Sequence, residues 1–455
     1  MILSQLSQFS NTLFHSHNQL SVSPNPLFWE SNYLHYSTLF IQNLFIQYLS
    51  HIDELFFNST DRKNTYYSKD KQMRTLVTLF GTITFSRRRY INKSTGQSFY
   101  YIDYLLGISK YQRVTHQVTA QILHNISFEH DSYRKATQSF GLSKSFAYYH
   151  LKKLKPDMYV PYLHEPLSCD NLHIVADEDH IALQDKKRFR KDSSTNSYML
   201  RHVTIFTDIS KVCKNRNQLN NRMILTQLEN ESVQEFSQRV NDFILDNYRV
   251  YDKTYVYGDG AGWIQTLAHE TGSTFILDKF HMKQALFRVC GGKTNKPIRE
   301  LLERYLELNN YEMFEKVVKV IYSDNLSDFK KKNLQYIKNF WESYQNNFKI
   351  PQALWCCAEG INSHYFSEYF SSRPKGFHKS NIHKIGYLLS LSHSSYDIRK
   401  YYIENIQEFI EEKKEAKYTR QDKKYLEKLN NIPIIKNGET TGIYHLLNNL
   451  IHKTN

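Results

Sequence analysis

LHIVADEDHIAL, residues 172–183, decides the fold: an apolar run turns acidic without a break. Read as a strand, it places Val175, Asp177, Asp179 and Ile181 on one face. Ile174, Ala176, Glu178 and His180 fall on the other. A carboxylate following LHIVA is not needed for solubility, so it reads as a ligand; an exposed strand with ordinary surface acids is the alternative. Asp177 directly follows the apolar run and is preferred over Asp179, which is kept as support.

Strand signals continue outward from this segment. SYMLRHVTIFTDI at 197–209 and NRMILTQL at 221–228 extend it into a three-strand antiparallel run. SVQEFSQRVNDFILDNY at 232–248 is a helix, and TYVYGD at 254–259 and STFILD at 273–278 are two more strands. The order strand-strand-strand-helix-strand-helix-strand is that of an α/β, RNase H-like mixed sheet, with acidic residues near strand ends. Residues 282–350 read as almost continuous helix whose charges form a solvated face.

Two further motifs carry an acid in an unusual setting. YGDGAGW at 257–263 puts Asp259 at a strand end among glycines, which let backbone and substrate approach closely. The bland reading is a strand-to-helix turn with Asp259 as an N-cap. CCAEG at 356–360 places Glu359 after a small apolar run, and SSRPKG at 371–376 adds Arg373 and Lys375 as phosphate contacts. His281 in LDKFHMKQAL is structural or orients a ligand, and Asp278 in the same motif is an alternative ligand. Carboxylate oxygens are hard donors suited to Mg²⁺ or Mn²⁺. Two such ions some 3.5–4 Å apart stabilise the attacking and leaving oxygens of an in-line displacement at phosphorus. The chain carries no G-x-S-x-G, Walker A or G-x-G-x-x-G motif.

The rest of the chain is basic, with a net charge of +14 over 455 residues. That balance fits a polyanionic partner, double-stranded DNA, although a merely soluble basic protein has the same signature. Five cysteines without a C-x-x-C pair argue against a disulfide framework and fit a reducing, cytoplasmic setting. No signal peptide and no membrane-spanning run is expected.

The first half of the chain divides into a helical region at 1–70, a small β unit at 71–110 and a helix-turn-helix region at 111–160. In the first, HYSTLFIQNLFIQYLSHIDELFF at 35–57 is an amphipathic helix that packs on the next domain or on a second subunit. In the second, RTLVTLFGTITFSRRRYI at 74–91 is a strand pair turning at Gly81; Arg87, Arg88 and Arg89 either contact phosphate or form a solvated edge. In the third, SYRKATQSFGLSKSFAYYHLKKL at 132–154 is helix, turn with Gly141, helix. Ser143 is the N-cap of the second helix, and Lys144, Tyr148, Lys152 and Lys153 face DNA. An ordinary helical hairpin is the alternative. The prolines of 156–166 mark a boundary. The catalytic core then spans 168–284 and 351–394, split by a helical insertion at 285–350, and a charged helical tail occupies 395–455.

RTLVTLFGTITFSRRRY, SYRKATQSFGLS, ADEDHIALQ, YGDGAGWI, LDKFHMKQAL and CCAEGINSHYFSEYFSSRPKG, in this order, resemble the ISLre-type bacterial insertion-sequence transposases, formerly an uncharacterised protein family. The resemblance covers roughly 74–386. It implies a DDE transposase with an RNase H-like domain and a helical insertion, akin to Mutator-type enzymes. Asp177, Asp259 and Glu359 become the catalytic triad holding two Mg²⁺ or Mn²⁺ ions, and His281 stands where related enzymes hold a histidine. The chain departs from the family pattern at Val175, where an acidic residue is expected. The implied partners are the element's terminal repeats and target DNA, with a homo-oligomer and no membrane. A nuclease without strand transfer and a catalytically silent DNA-binding relic are the alternatives.

Overall fold

The computed structural model describes residues 26–394, apart from 155–164, 185–196, 214–215, 292–294, 323–325, 355–359, 362 and 372–375. Beyond that range it describes a few isolated positions. Met1–Arg399 forms one compact unit and Lys400–Asn455 a second. The expected tail at 395–455 and the boundary prolines at 156 and 161 therefore lie almost wholly outside the described residues, as do Glu359, Arg373 and Lys375.

The architecture is mixed α/β. Strands β4 (Leu167–Ala182), β5 (Ser197–Phe206), β8 (Met223–Thr226), β9 (Tyr248–Gly258) and β10 (Thr274–Leu277) make one sheet in the order β10-β9-β4-β5-β8. β9 runs parallel to both β4 and β10, while β5 is antiparallel to β4 and to β8. The parallel return from β8 to β9 needs a crossover, and α7 (Val233–Asn247) supplies it. A reciprocal Ser232/Glu235 capping box starts this helix. Phe236, Val240, Phe243 and Ile244 then follow at helical spacing and are buried. They pack with Leu172, Ile174 and Ala176 of β4, and with Trp263, Ile264 and Leu267 of α8 (Gly262–Glu270). The other face of β4 packs Val175 with Phe206, Tyr255, Tyr257 and Ile361. The period-2 assignment of the two faces is thus the one found.

One stretch differs from the expectation. The run at 197–209 does not pass directly to a strand at 221. Asp208–Cys213 (β6) and Arg216–Asn220 (β7) fold back as a separate two-stranded ribbon. Asn221 follows in the left-handed region at φ 51°, and β8 begins only at Met223. Asn tolerates that conformation better than most residues, so the break is local chemistry.

The helical insertion has its own core. Helices α9 (Lys279–Cys290), α10 (Lys296–Glu307), α11 (Tyr311–Tyr322), α12 (Asp328–Asn339) and α13 (Trp341–Lys349) enclose Leu286, Leu302, Leu306, Phe314, Ile337 and Trp341. Their charges stay in solvent, as in the exposed Glu312–Lys316 and Glu315–Lys319 pairs. α13 lies against β10. Asn346 and Asn347 donate side-chain amide bonds to the carbonyls of Phe275 and Leu277, both 2.9 Å, satisfying groups on the sheet edge.

Ahead of the sheet, α1 (Pro26–Asn58) leads through α2 (Thr60–Thr65) into the hairpin β1 (Tyr66–Thr78) and β2 (Gly81–Asn92). β3 (Ser98–Phe99) joins its edge, and α3 (Tyr101–Leu105) closes the unit. The turn itself is Leu79–Phe80. Gly81 opens β2 at φ 97°, and a Cβ there would lie 2.7 Å from the Gln42 amide. The arginine triplet is neither a phosphate comb nor a solvated edge. Arg87 pairs with Asp103, Arg88 with Asp53 and Glu54, and Arg89 with Asp70. Arg87 and Arg88 are buried, so the assignment of these side chains to DNA is corrected. A buried arginine needs a carboxylate; α1 supplies Asp53 and Glu54 to Arg88, and α3 supplies Asp103 to Arg87. Burial still pushes the Asp53 carboxyl up despite the cation beside it.

α4 (His116–Ser127), α5 (Tyr133–Gln138) and α6 (Lys144–Lys153) follow. Gly141 turns the chain between α5 and α6 at φ 64°. Ser143 occupies the N-cap of α6 with extended backbone but without a side-chain cap bond. Helix α14 (Lys379–His393) ties these helices to the sheet. His383 bonds Tyr198 and the Gln227 carbonyl, at 2.7 and 2.8 Å, and Ser392 donates to the Ser127 carbonyl. Among the described residues, no helix is long and apolar enough to cross a membrane.

Arg88→Ala leaves Asp53 buried and unpaired. We expect a loss of about 3 kcal/mol in chemical denaturation, and a clearly smaller loss for Arg89→Ala, on the more exposed pair. Equal costs would contradict the burial assignment.

Candidate active site

The candidate site is built where β4 and β9 run parallel. Their register sets Val175 beside Tyr257, so the residues that follow, Asp177 and Asp259, emerge at the same end of the sheet. β10 continues the pattern, with Leu277 beside Gly258 and the Asp278 amide donating to the Gly258 carbonyl at 2.9 Å. Three neighbouring strands thus deliver Asp177, from within β4, and Asp259 and Asp278, just past the ends of β9 and β10, to the same end of their parallel run.

Each carboxylate is held by local backbone. The Asp177 carboxylate accepts from the Glu178 amide at 2.8 Å. Asp259 accepts from the Ala261 amide at 2.8 Å, which shapes the Asp-Gly-Ala-Gly turn. Asp278 caps α9, accepting from the Phe280 amide at 3.1 Å, and its other oxygen meets His281 Nδ1 at 3.2 Å. The glycines are required by space. At Gly258 a Cβ would lie 2.6 Å from the Ile264 side chain and 3.0 Å from the Ala176 carbonyl; at Gly260 it would strike the Phe340 ring at 2.7 Å.

The electrostatics mark the same edge. Burial pushes the Asp177 carboxyl up to about 6, and the charges of Asp259 and Glu178 add to the rise. The cation acting on it is His281. That imidazole is raised above its ordinary value, first by its bond to Asp278 and then by the charges of Asp278, Asp259 and Asp177. Asp177, Asp259, Asp278 and His281 therefore share one field. Asp177 and Asp259 repel each other, which is the condition a bound cation relieves. The donor set, carboxylate oxygens with an oriented histidine nearby, suits a hard divalent ion. Among the described residues no three such groups close on a common point. The third expected ligand, Glu359, lies outside the described residues, but its flanks do not. Leu354 donates its amide to the Tyr257 hydroxyl at 3.1 Å, and Ile361 packs against Val175 and Tyr257. Both sit on the Asp177 face of the sheet.

Asp179 is nearly buried on that face and accepts from Ser367 Oγ at 2.9 Å, so it anchors the following segment. The chain continues past the end of β4, where Gln184 and Phe377 pair through backbone bonds. Sequence reasoning missed three neighbours. Tyr336, on insertion helix α12, bonds the Asp259 carbonyl at 2.5 Å. His202 lies opposite Asp177 on β5 and stacks on Phe366. Glu178, on the reverse face, accepts from the Trp263 indole at 2.7 Å. Only tertiary structure brings Tyr336 near, since nothing in its local sequence marks it. On α6, Lys144, Tyr148, Lys152 and Lys153 are all exposed, with the Lys153 ammonium 4.2 Å over the Tyr149 ring.

The family model described as "Uncharacterised protein family (UPF0236)" matches residues 35–155 and 164–407, most of the chain. The chain belongs to UPF0236. Similar proteins occur in Caldanaerobacter subterraneus subsp. tengcongensis. UPF0236 protein TTE2489 is 25% identical over 423 residues, covering 88% of this chain and 87% of its own length. UPF0236 protein TTE0402 has the same identity and covers 82% of its own length. A further relative, 24% identical over 421 residues, bears a name that joins eleven loci, from TTE0033 to TTE2212. The matched range of this UPF0236 chain contains Asp177, Asp259, Asp278 and His281.

The raised Asp177 carboxyl has a consequence for the metal-free protein. Its folded value of about 6 lies above the ordinary 3.8, so the fold binds this proton more tightly than the unfolded chain does. Ionised Asp177 therefore subtracts stability fully above pH 6, and the penalty disappears as pH falls through 3.8. Asp177→Asn should raise Tm by about 2–6 °C at pH 7.5 in EDTA and by nothing at pH 3.5. A variant less stable than wild type at pH 7.5 would contradict this.

Proposed function

We propose that this chain is a transposase of the DDE type, cutting and joining DNA at the Asp177–Asp259 end of its sheet. The observation that carries the reading is the meeting of these two carboxylates where the parallel pairing of β4 with β9 ends. The strand order and directions are those expected of an RNase H-like domain, which supports the finer fold assignment. Glu359 is assigned the third ligand because both its flanks lie on the same face. The eleven loci named for one relative are compatible with dispersed copies of a mobile element.

In this reading Asp177, Asp259 and Glu359 hold two Mg²⁺ or Mn²⁺ ions. When bound, the ions stabilise the attacking and leaving oxygens of an in-line displacement at phosphorus. Asp259 is kept in position by its turn, by the Tyr336 hydroxyl and by the Phe340 ring under Gly260. His281, turned by Asp278 and favoured in its charged form, offers a proton-bearing nitrogen toward phosphate. Water serves as nucleophile for nicking and a 3′-hydroxyl for joining, so no covalent protein intermediate is needed. α5 and α6 act as the helix-turn-helix that binds element ends, through Lys144, Tyr148, Lys152 and Lys153. Arg373 and Lys375 are assigned to phosphate contact.

The test is cleavage and joining of DNA carrying the sequences that flank this gene, with Mg²⁺, Mn²⁺ or EDTA. Wild type should give metal-dependent products of both steps. Asp177→Asn and Asp259→Asn should each lose more than about 100-fold of them, because first ligands matter at least as much as the groups that orient them. Products that persist in both variants would sink the site. Nicking without joining would favour the plain nuclease, and bound DNA without products the silent relic. Lys144→Ala and Lys152→Ala should weaken end binding and each lower the salt slope by about 1; unchanged slopes would remove α6 from the interface.

A further inference from the structure

α1 carries a feature that the proposed reaction does not use. From Ser31 to Ile52 its sequence contains no Asp, Glu, Lys or Arg, although a quarter of the chain's residues are charged. Yet this is not a buried helix. Leu34, Ile41, Tyr48 and Leu55 are 68, 42, 54 and 56% exposed, and they recur every seventh residue. Half-exposed Leu44 falls between Ile41 and Tyr48 on the same stripe. The core face is a different one: Phe45, Ile46, Leu49 and Ile52 pack on the β1–β2 hairpin beside it. Tyr33, Leu34 and His35 are all exposed, and the hairpin turn reaches the helix only as far as Gln42 and Phe45.

A strict seven-residue apolar repeat keeps its seam facing another helix as the two wind together. It does not suit a flat sheet or a small ligand. The pattern also selects a particular partner. The stripe is symmetric about a point between Leu44 and Phe45. An antiparallel second copy therefore sets Leu34 against Leu55 and Ile41 against Tyr48, and does so twice by symmetry. Such a contact is isologous and closes as a dimer. Lack of charge between Ser31 and Ile52 removes like-charge repulsion, which otherwise opposes self-association of a helix. The 33-residue helix spans roughly 50 Å at 1.5 Å per residue. Paired about that centre, the two helices overlap over residues 31–58, roughly 42 Å, and a seam of that length and about 10 Å width buries on the order of 800 Å² in total, the size of a weak interface. Lone exposed apolar side chains need no explanation; an aligned row of four with an uncharged surround does.

We infer that α1 is the dimerisation element of this chain, pairing antiparallel with α1 of a second copy through Leu34, Ile41, Leu44, Tyr48 and Leu55. This is independent of the proposed chemistry, since it rests on no residue of the site.

Light scattering on the full chain at tens of micromolar tests it. Wild type should run at twice the 54.2 kDa chain mass, and Ile41→Glu/Tyr48→Glu at once that mass with an unchanged circular dichroism spectrum. Mixing separately purified Ile41→Cys and Tyr48→Cys chains and oxidising them should give a 41–48 cross-link between chains. The Ile41→Cys chain alone should give no 41–41 cross-link. A monomeric wild type overturns the proposal, whether the stripe is then covered by another segment of its own chain or by a membrane. A dimer that survives the double substitution, or a dominant 41–41 cross-link, overturns it as well.

Discussion

The structure depends on one pairing, the parallel alignment of β9 with β4. Its register sets Val175 beside Tyr257 and so brings Asp177 and Asp259 out at the same sheet end. Everything around this pair serves it. α7 makes the crossover that lets the strands run parallel, and its Phe236–Ile244 stripe fixes the helix on the sheet. Gly258 is held bare by the Ile264 side chain and the Ala176 carbonyl, because no Cβ fits between the strand end and α8. β10 and the Asp278–His281 pair extend the same edge by one strand.

Burial beside a second carboxylate raises the proton affinity of Asp177, and that cost has to be met by something. Here His281 meets part of it, and is itself charged more readily as a result. A fold that keeps such an arrangement has an only partly compensated negative site inside a protein of net charge +14. That contrast, rather than any single motif, is the physical ground for a reading in which cations and a polyanion meet at this edge. Membership of UPF0236 is consistent with it and adds no chemistry of its own.

The basic residues separate into two kinds once the structure is known. Arg87 and Arg88 are internal struts, holding α1 and α3 against the β1–β2 hairpin through Asp53, Glu54 and Asp103. Lys144, Lys152 and Lys153 are free to meet solvent on α6. In sequence both groups are short basic clusters next to aromatic residues. What divides them is the position of carboxylates far along the chain, which no local pattern reports. The same holds for insertion helix α12, whose Tyr336 reaches back to the Asp259 carbonyl.

The sequence by itself determined the strand-and-helix order of the sheet, the two faces of β4, and Asp177 and Asp259 as the acids at its edge. These are local properties, since period-2 alternation, helical spacing and glycine beside a strand-end acid act over a few residues. Tertiary structure alone decided the β6–β7 ribbon, the burial of Arg87 and Arg88, and the neighbours Tyr336, Ser367 and His202. Those depend on which distant segments pack together, a global balance of burial and pairing that no short window contains. The exposed stripe on α1 belongs to both: its repeat is written in sequence, but only the packed hairpin reveals that it is left uncovered.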